Sequence, residues 1–156
     1  MKRKLELKLE HEFPFMSRLI TKQIDSEKNL FVMFGCDCDD GWYELLRELC
    51  VEITEVYKKR GLEPNIIISQ VKEKYGTLRF YWFTSFNTIE TDRDEIDIVA
   101  MKEKEEISNF INELHDIVSK YEDKSESVCE KCGKKGKLRD DLRWTRTLCK
   151  QCYLEI

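Results

Sequence analysis

The chain has 156 residues, 41% hydrophobic and 37% charged, with two prolines; that gives room for one ordinary domain plus a small appended module, and excludes disorder as too polar a class for it. Net charge is −4 and unevenly spread: residues 128–156 hold eight Lys/Arg against four Asp/Glu, or +4, and the remainder carries −8. No stretch approaches the ~20 apolar residues of a membrane span, and Met1-Lys-Arg-Lys-Leu5 lacks the apolar run of an export signal, so a cytoplasmic protein is expected. Its seven cysteines would then meet a reducing compartment, where clustered thiols bind metal more often than they form disulfides.

From Leu5 to Leu9 the order Leu-Glu-Leu-Lys-Leu alternates apolar and polar and predicts a short strand. Pro14 marks a turn, and Leu30-Phe-Val-Met-Phe34 reads as a buried apolar run ending in Gly35-Cys-Asp-Cys-Asp-Asp-Gly-Trp42. Trp42, Leu45, Leu46, Leu49, Ile53, Val56 and Tyr57 recur at helical spacing and predict an amphipathic helix. Asp39 and Asp40 stand where its N-cap belongs, the cations Lys58-Lys59-Arg60 suit its C-terminal end, and Gly61 and Pro64 stop it. Asn65–Val71 and Thr77–Phe83 are β-branched and aromatic segments joined across Lys72–Gly76, which predicts a hairpin. On its second strand Leu78, Phe80 and Trp82 share one face and Arg79, Tyr81 and Phe83 the other, so both faces need covering.

Residues 84–95 are polar and predict a surface loop. Ile107, Phe110, Ile111, Leu114, Ile117, Val118 and Tyr121 form a second helical stripe, whose helix can start as early as Glu95. Lys120–Ser127 reads as a charged linker, dividing an α+β body over 1–124 from a module over 125–156.

That module carries the clearest chemistry. Cys129-Glu-Lys-Cys132 and Cys149-Lys-Gln-Cys152 are two C-x2-C pairs at the spacing of a four-cysteine zinc site. Each pair turns two thiolates inward on a tight loop, and Gly133 supplies the backbone freedom the first loop needs. Zinc is preferred over an iron–sulfur cluster because a small ribbon is its commoner host; plain reduced cysteines or a dithiol redox site are the remaining alternatives. Four cysteines fill a tetrahedral zinc, so the metal is expected to stabilise the fold and not to hydrolyse substrate. Lys137-Leu-Arg139 and Trp144–Leu148 are the expected strands of the ribbon.

Other chemistry is thinner. Cys36 and Cys38 with Asp37, Asp39 and Asp40 read as a helix cap or as a second metal or catalytic site, the cap being preferred because C-x-C lacks two further ligands. Cys50 reads as a small buried hydrophobe. His11 and His115 are the only histidines, which leaves most acid–base schemes unsupported, so no catalytic residue is assigned and an enzyme is disfavoured. Lys134, Lys135, Lys137, Arg139, Arg143 and Arg146 surround Trp144 with cations that suit phosphates and base stacking, unless Trp144 packs the ribbon onto the body. With Arg79 and Tyr81 on the hairpin, Arg139, Arg143, Trp144 and Arg146 make the candidate partner-binding set.

Gly35–Trp42, the run Gln70-Val-Lys-Glu-Lys-Tyr-Gly-Thr-Leu-Arg-Phe-Tyr81, and Cys129 through Cys152 with Trp144-Thr-Arg-Thr-Leu-Cys149 within it stand in an order that resembles a family of small, uncharacterised proteins common in phages and prophages. The resemblance spans Gly35 to Cys152. In relatives the last metal ligand is often His, where this chain has Cys152, and the polar insertion around 84–105 is longer here. The family has no established activity to carry over, so the resemblance implies a context only: a phage-encoded protein acting in a bacterial host cell. Together these readings predict two helices on a small antiparallel sheet followed by a four-cysteine zinc ribbon. They point to a non-enzymatic protein that binds a macromolecular partner, with an inhibitor of a bacterial defence system fitting that description. A nucleic-acid-binding ribbon and a metal-dependent nuclease built on Asp37, Asp39 and Asp40 are the alternatives; the oligomeric state stays open.

Overall fold

The computed structural model describes residues 1–25, 28–84 and 98–156, and of residues 98–102 the backbone alone. The N-terminal segment is helical where the alternation predicts a strand: α1 spans Arg3–Glu12. The alternation covers only three apolar residues, whereas Leu, Lys, Glu and Arg are all good helix formers, and Arg3 pairs with Glu6 one turn on at 3.0 Å. Leu9 and Glu6 are its buried residues; Glu6 Oε1 accepts from the Cys36 N–H at 2.7 Å, so a buried carboxylate ties α1 to the chain after Gly35.

Two short helices follow, α2 (Arg18–Ile24) and α3 (Leu30–Phe34). The apolar run 30–34 is thus helical, because Asn29 caps it by accepting from the Val32 N–H at 2.9 Å, and it buries only Phe31. The caps expected before the next helix are not formed. Asp40–Trp42 make a 3-10 turn with no side-chain cap, and α4 (Tyr43–Lys59) continues from it. Asp39 and Asp40 instead reach Arg146 and Lys2. The α4 stripe is as expected, burying Leu45, Leu46, Leu49, Cys50, Ile53, Val56 and Tyr57.

The hairpin is longer and tighter than its expected five-residue turn. Strands β2 (Ile66–Lys74) and β3 (Thr77–Thr84), numbered after β1 (Cys36–Asp37), pair antiparallel, with a bulge between Ile68 and Gln70. Only Tyr75 and Gly76 turn the chain, both at positive φ (54° and 79°), as a two-residue hairpin turn demands. The two-residue β1 runs parallel to β2, making the sheet mixed instead of purely antiparallel.

Helix α5 (Ile98–Ser125) lies against α4 and β3, burying Phe110, Leu114, Val118 and Tyr121. Tyr57 and Phe110 meet edge-on at 4.9 Å. The segment expected as a linker is helix as far as Ser125, which is fully buried. The cause lies at the sheet edge. Ser125 Oγ accepts from the Leu78 N–H at 2.9 Å and Glu122 Oε1 from the Phe80 N–H at 2.8 Å, so α5 satisfies the open side of β3. The second sheet face is partly covered by α2 and α3, which contact β2. The predicted loop over 84–95 and the helix start at Glu95 lie, past Thr84, outside the described residues.

The C-terminal module is a two-stranded ribbon, β4 (Lys137–Arg139) and β5 (Arg146–Leu148), with a closing helix α6 (Lys150–Leu154). The architecture is therefore α+β: long helices on a small sheet, with a cysteine-bearing ribbon at the C-terminus. Among the described residues no helix is long and apolar enough to cross a membrane.

Candidate functional site

The two C-x2-C loops converge. The sulfurs of Cys129, Cys132, Cys149 and Cys152 all lie within 4.8 Å of one another, and the Cys132 and Cys149 sulfurs are 3.7 Å apart. Four thiolates at ~2.3 Å from a tetrahedral zinc stand ~3.8 Å apart, whereas a disulfide needs ~2.05 Å, so the spacing fits a shared ion and not a bridge. Gly133 (φ 76°) closes the first loop, its N–H donating to the Cys129 carbonyl at 2.8 Å. Cys149 caps α6, accepting from the Cys152 N–H at 3.4 Å. That backbone donor is the main reason the Cys149 thiol falls to about 7, while burial lifts Cys152 to about 12 and also raises Cys132. The convergence of the four sulfurs means that these cysteines can hold a metal ion. Cys129, Cys149 and Cys152 are buried and Cys132 exposed.

The three sequence motifs meet at this module. Gly41 donates to the Glu130 carbonyl at 2.7 Å, and a Cβ at Gly41 would lie 2.3 Å from the Cys129 carbonyl oxygen. The Trp42 indole N–H donates to the Val128 carbonyl at 2.9 Å. At the hairpin turn, the Thr147 hydroxyl donates to the Gly76 carbonyl at 2.7 Å, and a Cβ at Gly76 would lie 2.4 Å from Leu138. The Gly-Trp helix start and the Tyr-Gly turn are thus the seat on which the ribbon docks.

The candidate partner-binding residues divide. Trp144 is 70% exposed, its indole N–H 3.3 Å from Glu73 Oε2, and Arg143 is exposed. Arg146 is occupied: its Nη2 reaches Asp39 Oδ2 at 2.5 Å and its Nε reaches Glu130 Oε1 at 2.5 Å. Arg139 stacks on the Tyr153 ring at 4.2 Å. Arg79 and Tyr81 lie on the face of β3 opposite Leu78 and Phe80, Arg79 3.9 Å from Glu122 and Tyr81 beneath Lys72. So Trp144 and Arg146 come together, and the hairpin pair stands apart from them.

The aspartates grouped in sequence also separate, Asp40 to Lys2 at 2.7 Å and Asp39 to Arg146. Among the described residues the four cysteines are the one group of three or more His, Cys, Asp or Glu placed to hold a metal. Cys36, Cys38 and Cys50 are buried thiols, and burial pushes Cys38 up to about 12. Two residues escaped the sequence reading, Glu73 and Glu130. Glu130 is 3% exposed despite standing between two ligand cysteines, and its position there was the only available signal.

Fold and site define a mixed helix-and-sheet protein with a C-terminal four-cysteine cluster able to bind a metal ion. Comparison with protein-family models, with curated proteins and with solved structures finds no match in any of the three.

Proposed function

We propose that the protein is a non-enzymatic zinc protein, encoded by a phage or prophage and acting in the cytoplasm of the bacterial host, that binds and modulates a macromolecular partner; an inhibitor of a bacterial defence system fits that description. The supporting observation is a closed four-sulfur centre joined to an exposed aromatic. Cys129, Cys132, Cys149 and Cys152 fill the four positions of a tetrahedral zinc, so the ion would supply folding energy. The ribbon it fixes leaves Trp144 70% exposed beside Arg143, an amphipathic surface of the kind that anchors interfaces. Metal analysis should return about one zinc per chain. A photoreactive phenylalanine analogue at position 144, introduced in bacterial cells, should give one discrete protein adduct that disappears in a Cys149→Ser background; no protein adduct, with or without phage infection, overturns the reading.

A second reading has its own observation. Lys134, Lys135, Lys137, Arg143 and Lys150 are all exposed on the ribbon, which suits a phosphate backbone. Retention on DNA or RNA that falls steeply with salt and is lost in Arg143→Ala/Trp144→Ala would favour it. Absence of retention at low salt removes it.

A further inference from the structure

Ribbon and body leave a cleft of 440 Å³ between them, lined by Asp37, Asp39, Glu73, Glu130, Trp144 and Arg146, with the Met1 amino group at its edge. The charges do not balance. Four carboxylates face one guanidinium and one ammonium, and that ammonium is turned to the Cys36 carbonyl at 2.8 Å and to the Cys38 carbonyl. Arg146 spends its contacts with Glu130 on Oε1. The other oxygen, Oε2, belongs to a side chain only 4% exposed and has no hydrogen-bond partner. A buried carboxylate oxygen left unpaired is costly, and it adds negative charge beside the cleft that nothing in the chain compensates.

The shape of the site narrows which cation suits that charge. These carboxylates do not gather closely enough to share one metal ion, since among the described residues only the four cysteines do. The volume exceeds what a bare ion needs and falls in the lower range of sites for organic groups. Trp144 stands at the rim with its N–H already directed at Glu73, which leaves the indole π-face as its free recognition element. Separated carboxylates beside an exposed indole suit a flat cation with several donors.

We propose that this cleft receives a guanidinium group, the arginine side chain of a protein partner, stacked on Trp144 and hydrogen-bonded to Asp37 and Glu73, with the Glu130 carboxylate behind them adding uncompensated negative charge. It rests on the partner-binding reading given above and names the chemistry of that partner.

The test uses the metal-loaded full chain, with the Trp144 indole N–H followed by NMR during titration with acetyl-Ser-Arg-Gly-Arg-Ser-amide and with its citrulline counterpart, which is neutral and nearly isosteric. The arginine peptide should give a saturable shift and the citrulline peptide none. Asp37→Asn/Glu73→Gln, which keeps the side-chain shapes and an acceptor for the Gly76 N–H that donates to Glu73 Oε1 at 2.5 Å, should weaken binding ~10-fold. Glu103→Gln/Glu106→Gln on α5 should leave it unchanged. No saturable shift, equal binding of citrulline, equal weakening by the α5 pair, or displacement by stoichiometric calcium or magnesium would each overturn the proposal. If the peptide fails to bind while the position-144 adduct survives Asp37→Asn/Glu73→Gln, this inference falls and the partner-binding reading stands. If the peptide binds but no adduct forms in cells, the cleft's affinity for a guanidinium stands and its assignment to a protein partner falls with the partner-binding reading.

Discussion

The body and the ribbon are held together by different forces. In the body, Trp42, Tyr57, Leu46, Leu49, Ile53, Ile68, Leu78 and Leu114 are fully buried in one continuous core. The ribbon has a core of four residues, Cys129, Leu148, Cys149 and Cys152, with Leu142 and Tyr153 packed against it. Three of those four belong to the cysteine cluster able to hold a metal ion. A module of about thirty residues with a single fully buried aliphatic side chain cannot offset its own chain entropy by burial alone. The body folds because it excludes water; on the proposed reading the ribbon depends on an ion and a seat.

The largest expected effect separates the two forces. Chelation, or Cys149→Ser, removes a contribution on the order of 10 kcal/mol from the ribbon and should collapse the NMR signals of residues 129–156. The cooperative melting of the body should persist with a lower midpoint. A ribbon that keeps its signals without metal would defeat the comparison. The converse substitution is Ile53→Ala, at a fully buried position of α4. It should cost the body about 2–5 kcal/mol, read by urea denaturation, while metal stoichiometry stays the same.

Between these lies the seat itself. A methyl group at Gly41 would lie 2.3 Å from the Cys129 carbonyl oxygen and 2.5 Å from both the Glu130 carbonyl oxygen and the Gly133 nitrogen, all backbone atoms of the metal loop. Neither side can give without moving the chain, so Gly41→Ala should cost about 2–3 kcal/mol. The expected sign is faster proteolysis around Val128 with metal still bound. Unchanged proteolysis would mean that the ribbon does not depend on this contact.

What was legible in the sequence follows the same division. Helix α4 could be read because its apolar stripe and its stop signals are local, and the four cysteines because metal chemistry fixes their spacing. Features that depend on distant partners were not legible. Asp39 looked like a helix cap, yet its partner is Arg146, 107 positions away. Ser125 looked like part of a linker, yet it satisfies the edge of β3. Strand β1 is two residues long and pairs in parallel with β2, too short a run to leave a pattern. Glu130 resembles any surface glutamate until the ribbon docks. Gly41 and Gly76 stood in separate motifs whose common purpose, the approach of the ribbon backbone, appears only in three dimensions.

The smallest effect is the one most easily mistaken for metal loss, because both appear on acidification. Lys2 donates to Asp40 through its ammonium and its backbone N–H, and these contacts hold the Asp40 carboxyl below the usual carboxylate range. A depressed folded value means that the contribution to stability is present above the unfolded carboxylate range and is lost as pH falls through the depressed value. The pair is exposed, so salt and solvent screen it, and Asp40→Asn should lower Tm at neutral pH by only about a degree. Acid also protonates the cysteine thiolates and releases the ion, and that event belongs to the ribbon. The two are separated by measuring the pH dependence in the Cys149→Ser background, where the ribbon no longer contributes. There the Asp40→Asn difference should shrink to nothing as the carboxyl protonates. A difference that persists at acid pH would mean that Asp40 acts through packing at the start of α4 and not through its charge.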